Sequence, residues 1–171
     1  MLSNSFNLID HSCVSLLLEC QQQGIKITNV GIFASGLLCG CACPCACASL
    51  ARFLRRAELK RLPCRWGGEH YMYDSSVPED VKKKVAKWTE LAKKHGLTLP
   101  QVALNFAFLP EIVDFVAFGT SRAKAVDENL ELCGNTVPLA LWAEAKEAGI
   151  MDSRLPLPGE EGPAAKKARA S

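Results

Sequence analysis

The sequence has no dominant charge sign. Its 20 Lys and Arg nearly match its 18 Asp and Glu, leaving a net charge of +2. The chain as a whole therefore presents no field that would gather a polyanion, and no nucleic-acid partner is expected. No apolar run is read as long enough for a membrane-spanning helix, which needs roughly 20 residues, and the N-terminus has neither the basic stretch nor the apolar core of a secretory signal. The expectation is a cytoplasmic chain without a membrane partner, whose thiols stay reduced. Histidine is scarce, three in 171 residues, so no His pair stands near the cysteines to complete a metal site.

What the chain does have is an uneven interior. Five of its nine cysteines alternate along Cys39-Gly-Cys-Ala-Cys-Pro-Cys-Ala-Cys47. A basic stretch follows, so residues 41–67 carry Arg52, Arg55, Arg56, Lys60, Arg61 and Arg65 against the single acid Glu58. Three readings of this block stay open. It is a disordered low-complexity insert, or a thiolate cluster for a soft metal such as zinc or copper(I), or a membrane-surface helix with Leu50, Phe53, Leu54 and Ala57 opposite the arginines. No metal ligands are assigned.

The rest of the chain is organised around residues 112–134. Ile112 to Phe118 is an apolar run of strand length, rich in β-branched and aromatic residues. Gly119-Thr120-Ser121 turns the chain into a helix that Ser121 caps and Gly134 ends. Val126 and Leu130 fall one turn apart on the face expected to be buried. A turn at a helix N-terminus offers unpaired N–H groups and the positive dipole end, which suits a phosphate. An ordinary β–α connection has the same residues, and both readings stand at this point.

Gly-Thr-Ser followed, after six intervening residues, by Glu128-Asn129-Leu130 resembles the last strand and helix of the aldo-keto reductases, most of all their sugar-dehydrogenase branch (the D-threo-aldose and L-galactose 1-dehydrogenases). Phe6-Asn-Leu-Ile-Asp10 is similar to the end of that family's sixth strand. Ile25-Lys-Ile-Thr-Asn-Val-Gly-Ile-Phe-Ala-Ser-Gly-Leu-Leu38 is similar to its seventh strand and the loop after it. The resemblance implies an α/β fold, a (β/α)8 TIM barrel. A whole barrel needs about 250 residues, so this chain is expected to be an incomplete barrel of the last three βα units. Residues 1–40 and 68–158 would form it. Residues 41–67 would be an insertion, and 159–171 a disordered tail.

The same resemblance implies a function. The relatives transfer a hydride between NADP or NAD and a small sugar or carbonyl substrate, using a proton relay of Tyr, Lys, Asp and His. No residue here matches that tetrad, so no catalytic residue is assigned and the chain alone is expected to be inactive. The cofactor site does carry over. Gly31, Phe33, Ser35, Gly36 and Leu37 would lie along the nicotinamide ribose and pyrophosphate. Gly119, Thr120 and Ser121 would meet the adenosine ribose and its phosphate, and Glu128 with Asn129 the adenine edge. Val30 and Gly31 stand where many relatives stack a Tyr on the nicotinamide. The two usual cationic positions align with Gly119 and Ala125, and Arg122 and Lys124 stand close enough to replace them beside a 2′-phosphate. His70, Tyr71 and Tyr73 fall where relatives line the substrate mouth, or form a polar surface loop.

Further expectations follow the chain. Met1 to Ser5 is disordered and Asn7 to Ile9 ends a strand. Ser12 caps a helix burying Leu16, Leu17 and Cys20, and Gly24 stops it. His11 is a helix-entry residue. A strand runs from Ile25 to Ile32. Ser76 and Thr98 open two capping boxes. Val81, Val85, Trp88 and Ala92 form one buried stripe, and His95-Gly96 ends their helix. Val102, Leu104 and Phe106 are core, and the last helix runs to Gly149. The alternative function is a non-enzymatic, Cys-rich metal-binding or interaction protein built on a barrel remnant.

Overall fold

The computed structural model describes residues 1–3, 5–39, 70–71, 75–109, 112–118 and 123–157. The expected insertion at 41–67 and the tail at 159–171 lie outside the described residues. Among those described, the chain is α/β, with three short parallel strands and five α-helices. Strand β1 (Leu2–Ser3) leads through helix α1 (Val14–Gln22) to β2 (Thr28–Asn29). A hairpin of β3 (His70–Tyr71) and β4 (Ser75–Ser76) precedes α2 (Glu79–Lys94) and α3 (Leu99–Ala107). Then come β5 (Phe115–Val116), α4 (Ala123–Gly134) and α5 (Leu139–Glu147).

The parallel sheet has the order β1-β2-β5. Leu2 pairs with Thr28 and Ser3 with Asn29, while Thr28 pairs with Phe115 and Asn29 with Val116. All three strands therefore end on the same side, where residues 5–10, 30–38 and the segment leading into α4 leave the sheet. This is the side on which parallel α/β folds build their sites. The strands are shorter than the apolar runs that announce them, Ile25 to Ile32 and Ile112 to Phe118. The flanking residues still join the sheet, since Asp114 and Phe115 both donate to the carbonyl of Ile27.

The start of the chain differs from expectation. Residues 1–3 are not an unpaired tail, because their backbone forms the edge strand, with Thr28 N–H donating to Met1 and Val30 N–H to Ser3. Residues 7–10 are a tight turn instead of a strand end. The side chain of Asn7 accepts from the N–H groups of Ile9 and Asp10, both at 3.1 Å, and so offers the backbone a turn in place of a ladder.

Helix ends follow their chemistry closely. Gly24 at φ 71 and Gly96 at φ 70 sit just past α1 and α2 in the left-handed conformation that a side chain disfavours. Each sets the same pair of terminal bonds: Gly24 N–H to Gln21 and Ile25 N–H to Cys20, then Gly96 N–H to Lys93 and Leu97 N–H to Ala92. Gly149 ends α5 in the same way. Gly134 does not, being the last residue of α4. Thr98 caps α3 in a complete box with Gln101. The expected box at Ser76 does not form, because Ser76 pairs in β4 and Pro78 takes the N-cap of α2. Ser12 is likewise one residue too early, since Cys13 is the N-cap of α1.

The core is aromatic at its centre. Phe6 lies 4.9 Å from Phe106, Phe106 lies 6.1 Å from Trp142, and Trp142 lies 6.3 Å from Trp88, centroid to centroid. All four rings are buried, each removing from water an area worth about 2–3 kcal/mol or more. The α2 stripe behaves as expected, with Trp88 and Ala92 inside and Val81 and Val85 packed at the margin. Val102, Leu104 and Phe106 are fully buried. Two faces turn the other way. Leu16 is 49% exposed while Val14 takes its place inside. Val126 and Leu130 are 40% and 59% exposed, because α4 packs through Leu132 and Cys133 against the apolar cluster under α3.

Candidate functional site

Two side-chain amides organise the end of the sheet. Above the last β1–β2 ladder bond, Asn29 donates to the carbonyl of Phe6 at 2.9 Å, and Asn7 donates to the carbonyl of Gly31 at 3.0 Å. Each amide crosses to the neighbouring strand's loop, so the pairing continues after the backbone has stopped pairing. Both residues are buried. Neither was marked as functional from sequence. The local sequence offers no signal beyond the resemblance of Phe6-Asn-Leu-Ile-Asp10 to the end of a strand.

The loop held this way contains the first half of the expected cofactor site. Gly31 uses its carbonyl twice, accepting from Asn7 and from the N–H of Ala34. Ala34 to Gly36 form one 3-10 turn. Ala34 takes φ 45 and Gly36 φ 97. For Ala this left-handed conformation costs about 1–2 kcal/mol, the kind of local strain that clusters at ligand-binding turns. Phe33 is half-buried and meets Phe118 edge-on, with centroids 6.5 Å apart. Leu37 is buried in the main core, so any part it has in binding belongs to its backbone. Ser35 is within the turn.

The second half follows β5. Gly119, Thr120, Ser121 and Arg122 lie outside the described residues. Glu128 and Asn129 lie in α4 and are half-buried. Helix α4 is fixed against α3 by Leu132 and Cys133, and Asn105 donates to the Leu132 carbonyl at 3.4 Å. A small cluster is formed by Ile32, Leu104 and Ala107, with Phe33, Val116, Phe118 and Leu132 around it. The same packed group thus supports the loop after β2, the end of β5 and the body of α4.

The residues outside this region have structural partners. His11 stacks on Phe106 at 5.3 Å, and its burial, aided by Lys84, holds its pKa below 6.5 against the pull of Asp152 and Asp10. Asp152 is held below the usual carboxylate range first by its bonds to Arg154, which also reaches the Ser15 hydroxyl at 2.6 Å. Lys94 does the same for Glu144, tying α2 to α5. A cavity of about 390 Å³ opens beside His11, Lys84 and Asp152, but none of the expected cofactor residues lines it. Among the described residues no group of three His, Cys, Asp or Glu is placed to hold a metal. No helix among them is long and apolar enough to cross a membrane.

The Aldo/keto reductase family matches residues 1–148. The chain is similar to a D-threo-aldose 1-dehydrogenase from Pseudomonas sp, 23% identical over 152 residues, which is 88% of this chain and 39% of that relative. It thus spans well under half the length of the curated relative it matches. The match covers most of the chain, and the chain belongs to the aldo/keto reductase family.

Proposed function

We propose that this chain is the cofactor-facing part of a nicotinamide-dependent oxidoreductase acting on a sugar hydroxyl or related carbonyl. Its three βα units are the last three of a (β/α)8 barrel, formed by residues 1–40 and 68–158, with 41–67 inserted and 159–171 outside it. Gly31, Phe33, Ser35, Gly36 and Leu37 run along the nicotinamide ribose and pyrophosphate of bound NADP or NAD. Gly119, Thr120 and Ser121 hold the adenosine ribose and phosphate, Glu128 and Asn129 the adenine edge, and Arg122 the 2′-phosphate when it is present.

The observation that carries this reading is the contact between Phe33 and Phe118. It brings the loop after β2 against the end of β5, the residue before Gly119 in sequence, which supports reading the two segments as parts of one site. The residues fit a dinucleotide in a second respect. With Leu37 turned into the core and Gly36 at φ 97, the turn at 34–36 offers backbone to a ligand. The bound nicotinamide would supply the hydride chemistry. The proton relay belongs to strands that this chain does not match, so binding and orientation are its part and it turns over no substrate alone. The compartment is the cytoplasm.

Titration with NADP and NAD by quenching of Trp fluorescence tests the reading, both in the chain and in a full barrel whose first five strands come from a relative. Saturable binding by the completed barrel is expected. Its failure to bind either dinucleotide would remove the proposal.

A further inference from the structure

We infer that Asn7 is a positioning residue for the turn that follows β2, acting on the cofactor through the shape of residues 31–37. The inference rests on the reading of that loop as the pyrophosphate cradle, but it makes a claim of its own about the loop's mechanics.

Asn7 is 3% exposed and makes three hydrogen bonds with one side chain. Its Oδ1 accepts from Ile9 and Asp10, and its Nδ2 donates to the Gly31 carbonyl. These two functions need an amide. Aspartate would accept from both N–H groups yet has no donor for Gly31, and alanine can do neither. The Gly31 carbonyl is also where the turn begins, since it accepts from Ala34. Behind that bond the turn closes on itself, with Gly36 donating to Phe33, Leu37 to Ala34 and Leu38 to Phe33. Asn7 is therefore the side chain that fixes the first carbonyl of a turn whose backbone is held at φ 45 and φ 97. A strained backbone persists only where its surroundings over-determine it. The reciprocal bond from Asn29 to Phe6 anchors the loop that carries Asn7, so the brace is itself braced.

Amide hydrogen exchange on the 171-residue chain separates this role from a general contribution to stability. In Asn7→Asp the turn at 7–10 keeps its acceptor and the Gly31 bond is lost. The amides of Ala34, Gly36, Leu37 and Leu38 should then exchange about tenfold faster, the effect of one lost hydrogen bond, while those of Val102 and Phe106 in α3 keep their rates. Unchanged exchange at 34–38, or equal acceleration in α3, overturns the inference. Should the buried carboxylate prevent folding, Asn7→Ala removes all three bonds without adding a charge, and faster exchange at 34–38 with unchanged rates in α3 then reads the loss of the whole brace. NADP titration of the wild-type and variant chains in the completed barrel supplies the second readout. Several-fold weaker binding by the variant is expected. Equal binding despite a loosened turn overturns the positioning role. A wild-type barrel that binds neither NADP nor NAD overturns the cofactor reading instead, and the exchange rates still decide what Asn7 does.

Discussion

The indole Nε1 of Trp88 donates to the carbonyl of Leu8 across 2.7 Å, in the fully buried interior. Trp88 is on α2 and Leu8 in the turn after β1, so one bond ties the helix layer to the loop that carries Asn7. Replacing Trp88 by Phe keeps much of the ring but leaves a buried carbonyl without its donor. The expected cost is about 1–3 kcal/mol, and Trp88→Ala should cost about 3–5 kcal/mol because it also opens a cavity. Urea unfolding of both variants gives the comparison, and a Phe variant as stable as wild type would mean that the bond contributes nothing net.

His11 makes stability depend on pH. Its pKa in the folded chain is below the ordinary 6.5, first because the ring is buried against Phe106 and then because Lys84 repels its charge, with Asp152 and Asp10 partly opposing. The unfolded chain then takes up a proton that the folded chain resists, so unfolding is favoured as pH falls. This contribution is fully present above pH 6.5 and is lost as the pH falls from there through the folded pKa. The urea midpoint should drop between pH 7 and pH 5, and His11→Phe should flatten that slope. A slope that survives the substitution would assign it to other groups.

The parallel sheet ends in β1 and β5, with Leu2 71% and Phe115 59% exposed at its two edges. Edges of this kind recruit other strands. The 171-residue chain should self-associate at micromolar concentrations, and Phe115→Lys should reduce that association, as followed by sedimentation velocity. A monodisperse monomer with one cooperative thermal transition would count against the prediction.

Much of this fold was readable wherever a local interaction decides the structure. Thr98 and Gln101 cap α3 within four residues, and Gly24 and Gly96 end helices by the φ only glycine takes freely. The Trp88 stripe also follows from helical spacing alone. What escaped depends on neighbours distant in sequence. Leu2–Ser3 is too short to show a period and is a strand only because Thr28 lies beside it. The turn of Val126 and Leu130 toward solvent depends on α3 claiming Leu132 and Cys133 instead. The reading of residues 31–37 as part of a candidate site rests on resemblance alone, while the Phe33–Phe118 contact and the bond from Asn7 to Gly31 join residues far apart in sequence and have no local signature.

The Cys- and Arg-rich block offers a clean deletion. Removing residues 41–67 joins Leu37-Leu-Cys-Gly40 to Gly68-Glu-His-Tyr-Met-Tyr73, which the resemblance implies is the uninterrupted loop. If the block is an insertion foreign to the barrel, solubility and the unfolding midpoint should stay unchanged or rise. Loss of the folded signal would show that the block is structural. Metal analysis of the intact chain would then be the next measurement, since thiolate sites couple metal binding to folding.

On the proposed reading, the choice between NADP and NAD would rest on charge at the start of α4. Arg122 and Lys124 are close in sequence to Gly119 and Ala125, which the resemblance aligns with the cationic positions of a 2′-phosphate site. A 2′-phosphate contacted by Arg122 gains a charge-assisted bond that NAD cannot form. In the completed barrel Arg122→Ala should therefore weaken NADP by about tenfold or more and leave NAD nearly unchanged, since bonds to charged groups are worth about 1.5–3 kcal/mol. Asn129→Ala should behave differently. Asn129 would meet the adenine edge, which both cofactors share, through one or two neutral bonds worth about 1 kcal/mol. Both affinities should fall several-fold and by the same factor. Fluorescence titration of each variant with each cofactor separates the two roles. If neither substitution changes either affinity, the adenosine site lies elsewhere and the assignment of Gly119 to Arg122 with Glu128 and Asn129 is removed.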